Sequence, residues 1–377
     1  MNEKSYICNF IFNHKEDWEQ ILIKDYELRI RFEGDFAVFN YSITANFFDP
    51  IVQEARGIII DVKNLEVVCW PFRKFGNYNE GYADKIDWQS AKVLEKVDGS
   101  IIKLWFNNQK GDWQFSTNKT IYAENAPVED CPGLSYFSVI KRAKNYGDIP
   151  FDRLNKEKTY IFELVSPQTQ VVINYGETML YHIGTRNNLT GQETDEDIGI
   201  KKPMLYTAGS LEDCVKLAST LNQGQEDISK EGFVVVDKNF NRVKVKSLEY
   251  IAKHHTSTLA CVSKKDCIYM LINARERINI LFGERGQFEH VVKYYDYKLS
   301  EKLFEAEKIA TFALNLYEEY SCDRKAVASV LKNYPLAFVG FKSIDTKLGG
   351  REIFLDMPID KICAYIPDYE EITPLKK

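Results

Sequence analysis

Short apolar runs separated by turn-forming residues dominate the first two-thirds of the chain. In several runs apolar and polar residues alternate, as in "RVKVKS", which is the period of a strand whose two faces meet different surroundings. The connecting segments "EGD", "VKN", "NNQKGD" and "KNFN" have turn composition. The predicted strands are 27–32, 36–42, 56–61, 65–70, 100–106, 113–117, 159–165, 170–175, 178–184, 231–237 and 242–247. Because their connections are short, the pattern predicts antiparallel sheets rather than a parallel sheet with crossover helices.

Helical periodicity is rarer in this part of the chain and common after it. It appears at 134–146 and at 211–223, where Ser210 is a predicted N-cap. Nearer the carboxyl end, apolar residues recur at helical spacing over 299–320, and Asp323 is the predicted cap of the helix that follows. The strands and helices are therefore segregated along the sequence.

This segregation predicts an α+β protein of two domains. The boundary is placed at residue 255, so that 1–255 forms an antiparallel-sheet domain and 256–377 a mainly helical domain. Lysine plus arginine balance aspartate plus glutamate within 256–377, which assigns the net charge of −6 to the first domain. That charge argues against a protein that coats nucleic acid by bulk attraction, but a local basic cleft remains compatible with it.

Cysteine usage and hydropathy indicate the compartment. The eight cysteines are scattered and contain no CxxC pair, which is typical of free thiols in a reducing environment. Neither a signal peptide nor a membrane-length apolar run is present. We expect a cytoplasmic protein without a membrane partner, located in the host cytoplasm if the source is viral.

The segment "VLEKVDGSIIKLWF" contains the first candidate for chemistry, Lys96, followed by Asp98 and Gly99. Such a lysine could simply be exposed beside a turn. Its functional interpretation is a nucleophile, because a neutral amine can attack the α-phosphate of a nucleoside triphosphate and hold the nucleotide covalently. The amine must then lose its proton, so we expect burial or neighbouring cations to lower its pKa.

Cations do occur on other predicted strands. Arg56 begins the apolar strand "RGIIID", where its planar fork could hold a phosphate or a ribose hydroxyl. Lys244 and Lys246 are two residues apart, so a strand directs both to one face and Val243 and Val245 to the other. The alternative for the lysine pair is an ordinary solvated face.

Two acidic residues stand beside or within apolar strands. Glu163 interrupts "YIFELV", and a carboxylate there must meet water, a cation or a ligand hydroxyl unless the strand is at a sheet edge. Glu231 precedes Gly232 and is either a turn residue or a carboxylate that orients a divalent metal. A hairpin of 231–237 with 242–247 would bring Glu231 close to the lysine pair.

The order of these motifs is more specific than any one of them. Arg-Gly, Lys-x-Asp-Gly, an acid within a strand, Glu-Gly and Lys-x-Lys follow one another in the sequence. This succession resembles the covalent nucleotidyltransferase superfamily of nucleic-acid ligases and mRNA capping enzymes. Within it, "FNYSITANFFDPIVQEARGIIID", "PFRKFGNYNE" and "EKVDGS" are most similar to the phage-type tRNA-repair RNA ligases, the RNA ligase 1 family. The resemblance covers roughly residues 35–250.

The resemblance implies a nucleophile and its surroundings. Lys96 would be the adenylylated lysine, and Asp98 and Gly99 would shape the loop that presents it. Glu231 would lie near this lysine and the metal. Tyr41 would lie near the nucleotide.

The resemblance also implies the contacts to the nucleotide. Arg56 and Lys74 would contact its sugar and phosphates, and Glu163 would bind the ribose. Lys244 and Lys246 would engage the α-phosphate and stabilise charge as pyrophosphate leaves. ATP is the implied AMP donor.

Two positions depart from the family pattern. Gly76 in "KFGN" stands where the family tends to show an aromatic residue, and the other departure follows a predicted strand later in the chain. The family usually carries a lysine or arginine followed by Gly-Ser after the strand written here "WQFST", whereas this chain reads "STNKT". Asn118 therefore occupies the cation position, and Lys119 follows one residue later. Either the register shifts so that Lys119 binds the nucleotide, or that contact is altered.

The expected activity is ATP-dependent joining of RNA 3′-hydroxyl and 5′-phosphate ends by a monomer, with Mg²⁺ or Mn²⁺ to neutralise the triphosphate and broken tRNA as the substrate. Three alternatives stay open. A capping guanylyltransferase would use GTP. A DNA ligase would usually append an OB-fold, which the helical tail disfavours. A non-catalytic RNA-binding repair scaffold would keep the fold without the reaction.

Overall fold

The computed structural model describes residues 5–42, 44–129, 131–222, 228–251, 264–273 and 289–369. The chain divides into two compact units. One comprises Met1–Tyr78 with Tyr82–Tyr250, and the other comprises Asn79–Gly81 with Ile251–Lys377. The predicted domain boundary at residue 255 falls on residues outside the described ranges.

The strands of the first unit form three antiparallel sheets. Their orders are β1-β2-β3-β4, β10-β9-β8-β6-β7 and β11-β5-β12-β13, and each paired neighbour is antiparallel, as the short connections predicted. The strands are β1 Leu28–Glu33, β2 Phe36–Tyr41, β3 Arg56–Asp61, β4 Glu66–Cys69, β5 Lys92–Glu95, β6 Ser100–Asn107, β7 Asp112–Thr117, β8 Lys158–Val165, β9 Met179–Asn187, β10 Glu193–Thr194, β11 Leu205–Tyr206, β12 Gly232–Val236 and β13 Arg242–Lys246.

The first two sheets share a buried apolar cluster. Val38 and Ile59 of the first sheet pack in one cluster with Trp105 of β6. The other face of the second sheet is closed by Ile102, Leu104 and their neighbours. The second sheet therefore lies between two cores, which explains why β6 and β8 are apolar along most of their length.

The hairpin of β12 and β13 has the predicted two-faced character. Val243 and Val245 are buried in an apolar cluster with Phe233. In the register of the hairpin, Lys244 pairs with Val234, and Lys246 pairs with Gly232. The lysine side chains therefore emerge on the face away from this core.

The strand predicted at 170–175 is wrong. Pro167–Thr169 forms a turn of 3₁₀ helix, and the residues after it run without ladder hydrogen bonds up to β9. The backbone N–H groups of Val172 and Ile173 donate instead to Oδ2 of Asp98, at 2.9 and 2.8 Å. This side-chain acceptor satisfies the amides that a neighbouring strand would otherwise pair.

The described helices are α1 Tyr6–His14, α2 Trp18–Lys24, α3 Pro50–Glu54, α4 Tyr136–Lys141, α5 Leu211–Ala218, α6 Lys264–Asn273, α7 Glu289–Glu319, α8 Arg324–Leu331, α9 Ala337–Thr346, α10 Gly350–Leu355 and α11 Ile359–Ala364. Both predicted caps are confirmed: Ser210 accepts from the amide of Asp213, and Asp323 accepts from those of Lys325 and Ala326. None of these described helices is both long enough and apolar enough to cross a bilayer.

Candidate active site

A buried glutamate joins the two strands that carry the candidate lysines. Lys96 follows the end of β5, and its amide donates to the carbonyl of Gly232 at 2.9 Å. Its Nζ donates to Oε2 of Glu231 at 2.7 Å, while Nζ of Lys246 lies 3.0 Å from Oε1 of the same carboxylate. Glu231 is 2% exposed. The hairpin predicted to bring Glu231 to the lysine pair therefore also brings it to Lys96.

The electrostatics of Lys96 differ from the expectation. Burial disfavours its ammonium form, but the carboxylates of Glu231 and Glu163 outweigh burial and raise the pKa of Lys96 above its ordinary value. The expectation that burial or neighbouring cations lower the pKa of Lys96 is thus wrong, because these carboxylates lie close to the amine. Lys96 rests here as an ammonium ion.

Asp98 anchors the loop after Lys96. Its Oδ2 accepts the two amides of Val172 and Ile173 described above, and its Oδ1 accepts from the hydroxyl of Tyr250 at 2.7 Å. Its own amide donates to the hydroxyl of Tyr175 at 2.9 Å. Asp98 is 4% exposed, so these contacts are shielded from water. It is a structural acceptor that fixes the loop, and the two tyrosines that complete it were not found from the sequence.

Gly99 brings this loop against the strand that carries Glu163. A Cβ at position 99 would lie 2.3 Å from the carbonyl oxygen of Leu164, a distance that requires glycine. The strand β8 is central in its sheet, which excludes the edge-strand alternative for Glu163. Burial raises the pKa of Glu163 to about 7, with Lys96 acting in the opposite sense.

Four cations surround Lys244. Burial lowers the pKa of Lys244 well below its ordinary value, and repulsion from Arg56, Lys74, Lys96 and Lys246 lowers it further. The sequence order of these residues gave no distance, and the fold brings them from four separate segments to one place. Such a cluster is a strong attractor for a polyanion.

Arg56 is held at the edge of this cluster by aromatic rings. Its guanidinium carbon lies 5.1 Å from the ring centroids of both Phe72 and Phe75. Burial lowers the pKa of Arg56, while the attraction of Tyr41 and Glu163 partly offsets that effect. The predicted residues Tyr41, Arg56 and Glu163 therefore lie close together.

Lys119 does not join the other predicted residues. It lies at the exposed tip of a tight turn in which the amide of Thr117 donates to the carbonyl of Thr120 at 3.2 Å. Asn118 faces inward, and its Oδ1 is buried without a hydrogen-bond partner. The turn that ends β7 thus directs position 118, and not 119, toward the protein interior.

Lys103 is a buried cation that the sequence reading missed. It is fully buried, and its Nζ donates to the carbonyls of Gly57 at 2.8 Å and Thr117 at 2.6 Å, which joins β3 of the first sheet to β7 of the second. Gly57 has a φ of +81°, and a Cβ there would lie 2.4 Å from this Nζ. The available signal was a charged residue within an apolar run, here the lysine of "SIIKLWF". The same kind of signal identified Glu163 in "YIFELV".

Lys103 should make stability depend on pH. Burial, with repulsion from Arg56, lowers the pKa of Lys103 to about 8 from 10.5. Between these values the folded chain binds fewer protons than the unfolded chain, so stability should rise with pH, by about 3 kcal/mol in total. We expect Lys103→Met to lose this rise in urea unfolding midpoints measured from pH 7.5 to 10.5. Lys92→Met, at an exposed lysine, should retain it, and parallel profiles for Lys103→Met and the wild type would contradict the assignment.

The antiparallel sheets, with a lysine–glutamate pair among converging cations, define an α+β protein whose site can attract a polyanion. A model of the family described as RNA ligase matches residues 54–250, more than half of the chain. The chain therefore belongs to the RNA ligase family, which confirms the resemblance to phage-type RNA ligases.

Three individual relatives are similar to this chain, each over a different share of its own length. A protein of Autographa californica nuclear polyhedrosis virus, named as a bifunctional polynucleotide kinase/RNA ligase, is 30% identical over 261 residues, which cover 64% of this chain and 36% of that protein. A protein of Thermovibrio ammonificans, named as an RNA ligase, is 29% identical over 60% of each chain. The RNA ligase of Rhodothermus phage RM378 is 24% identical, covering 68% of this chain and 74% of the phage protein. The chain thus spans about a third of the viral protein and about three-fifths of the Thermovibrio protein.

Proposed function

We propose that this chain is an ATP-dependent RNA ligase that joins a 3′-hydroxyl end to a 5′-phosphate end through a lysyl-AMP intermediate. The observation that carries the proposal is the convergence of Arg56, Lys74, Lys96 and Lys246 near Lys244, whose pKa is lowered first by its burial and further by their repulsion. Repulsion among these cations is relieved when a triphosphate binds between them. Membership of the RNA ligase family supports RNA as the polymer.

In the first step, Nζ of Lys96 attacks the α-phosphorus of ATP, and the bond to the oxygen that bridges the α- and β-phosphates breaks. Lys244 and Lys246 stabilise the negative charge that develops on the departing pyrophosphate. Arg56 and Lys74 contact the sugar and phosphates of the nucleotide. AMP remains attached to Lys96 through a phosphoramidate bond.

Lys96 must lose a proton before it attacks, since its ammonium form has no free electron pair. We propose that Glu231, whose Oε2 accepts a hydrogen bond from Nζ of Lys96 at 2.7 Å, controls whether the lysine keeps this proton. We also propose that Glu163, whose pKa burial raises to about 7, binds ribose hydroxyls and that Tyr41 lies beside the nucleotide. Asp98 and Gly99 hold the loop that presents Lys96.

We propose that a divalent cation is held at this site partly by a carboxylate of the chain and partly by the substrate. No group of three or more histidine, cysteine, aspartate or glutamate side chains forms a metal cage in the described part of the chain. Mg²⁺ commonly takes one or two carboxylates together with substrate phosphates, and Glu231 is the residue we propose to hold it, or Mn²⁺. A bound cation would neutralise triphosphate charge.

Two further steps complete the proposed reaction. AMP passes from Lys96 to the 5′-phosphate of an RNA end, and the 3′-hydroxyl of a second end then attacks that phosphate and releases AMP. We propose that residues 1–255 perform the nucleotidyl transfer. Residues 256–377 would recognise a structured substrate, for which a tRNA broken in its anticodon loop is the candidate.

The test is a label-transfer experiment followed by sealing. The wild-type chain, incubated with Mg²⁺ and ATP labelled in the α-phosphate, should acquire covalent label, whereas labelled GTP should give none. The labelled protein should then seal nicked tRNA more efficiently than a generic RNA oligonucleotide, and RNA more efficiently than DNA. Labelling by GTP would indicate a guanylyltransferase, and RNA binding without any label would indicate a scaffold. Equal sealing of tRNA and the oligonucleotide would refute the tRNA role.

A further inference from the structure

A row of aromatic rings leads from the cation cluster to the surface. We call Tyr41, Phe47, Phe48 and Tyr82 the aromatic shelf. The ring centroids of Tyr41 and Phe47 are 5.1 Å apart, those of Phe47 and Tyr82 are 5.6 Å apart, and those of Phe48 and Tyr82 are 5.9 Å apart. Each ring therefore contacts the next.

The outer end of the shelf is exposed but held in position. Phe48 is 63% exposed, whereas most phenylalanines of this unit are in its cores. The amide of Phe48 donates to Oδ1 of Asn46 at 3.1 Å, and the carbonyl of Phe47 accepts from Nε2 of Gln53 at 2.7 Å. Asp49 caps α3 directly afterwards. These bonds order the backbone that carries the exposed ring, which lowers the conformational entropy lost when a flat ligand covers it.

The inner end of the shelf adjoins the phosphate-binding cations. Nζ of Lys74 lies 4.5 Å from the ring centroid of Phe47 and 5.1 Å from that of Tyr41. Tyr41 and Tyr82 also interact electrostatically with Arg56. The surface therefore combines stacking rings with positive charge, which is the combination that binds single-stranded nucleic acid.

We propose that the exposed ring of Phe48 stacks on the base of the 5′-terminal nucleotide of the RNA end that accepts AMP, while Tyr82, whose ring lies at 75° to that of Phe48, contacts the edge of the base. This inference rests on the proposed ligase function. The accepting phosphate must reach Lys96, and its base is attached through a single ribose, so the base lies within one nucleotide of the cation cluster. An unpaired RNA end offers an exposed π face, which aromatic side chains recognise without regard to sequence.

The experiment isolates AMP transfer from the AMP-loaded chain to a 5′-phosphorylated RNA whose 3′ end is blocked. We expect Phe48→Ala to raise the RNA concentration for half-maximal transfer roughly tenfold, because stacking of one base contributes on that order. An RNA that is abasic at its 5′-terminal nucleotide should bind the wild type about as weakly, and Phe48→Ala should weaken that RNA no further. Phe48→Trp, which keeps an aromatic ring at this position, should bind the intact RNA as the wild type does.

Three controls separate this inference from the proposed function. Phe12→Ala, at a phenylalanine of α1 that is 55% exposed, should behave as the wild type. Phe48→Ala should acquire label from ATP normally. Fluorescence anisotropy with the same RNAs measures binding even if no label forms, so failure of adenylylation would refute the ligase proposal alone. The assignment would be overturned if Phe48→Ala weakened binding of the intact and the 5′-abasic RNA equally, or weakened neither. It would also be overturned if removing the base at the 3′ end, rather than at the 5′ end, abolished the effect of Phe48→Ala.

Discussion

Lys96→Ala is expected to abolish covalent labelling of the chain by ATP that carries a labelled α-phosphate. The methyl group of alanine has no electron pair to attack phosphorus, and the other lysines of the cluster cannot replace it because Lys96 alone sits on the loop fixed by Asp98. Lys96→Arg should also fail, since a guanidinium stays protonated and is a poor nucleophile. Gel analysis after incubation with ATP and Mg²⁺ measures the label.

Lys119→Ala is the matched control for this prediction. It removes a lysine of the same domain that lies at an exposed turn, away from the cluster, and it should label as the wild type does. Label on the Lys96→Ala protein would refute the assignment of the nucleophile. Loss of label from Lys119→Ala would show that the turn after β7 rearranges to bring this lysine to the nucleotide.

Asp98→Ala is expected to destabilise the chain by about 3 kcal/mol or more. The substitution leaves the amides of Val172 and Ile173 and the hydroxyl of Tyr250 without their acceptor, and each buried unsatisfied donor costs about 1–3 kcal/mol. The loop that presents Lys96 would lose its anchor, so labelling by ATP should fall as well. Urea unfolding measures the stability change.

Asp98→Asn provides the conservative comparison. The amide oxygen can still accept the two backbone N–H groups, and the hydroxyl of Tyr250 can rotate to accept from the new NH₂ group. We expect this variant to retain most of the stability and labelling that Asp98→Ala loses. If the two variants were equally unstable, the negative charge at position 98, rather than its hydrogen bonds, would be responsible.

The sheets were predictable because their signal is local. Strand period, short turns and buried valines specify antiparallel hairpins within a few residues, and the predicted β12–β13 pairing followed from that alone. The predicted strand at 170–175 failed for the opposite reason: its amides are bonded by Asp98, more than seventy positions earlier in the chain. No local pattern reports an acceptor at that separation.

The sequence by itself determined the antiparallel class, the order of the motifs and the identities of the lysines and acids that now lie together. Only the tertiary structure decided the pKa values of these side chains and which of the candidate residues lie together in the site. It paired Lys96 with Glu231 and raised its pKa, placed Lys119 on an exposed turn, and revealed the buried Lys103. The physical reason is that a pKa depends on burial and on charges within a few ångströms, and both are set by contacts between distant segments rather than by neighbours in sequence.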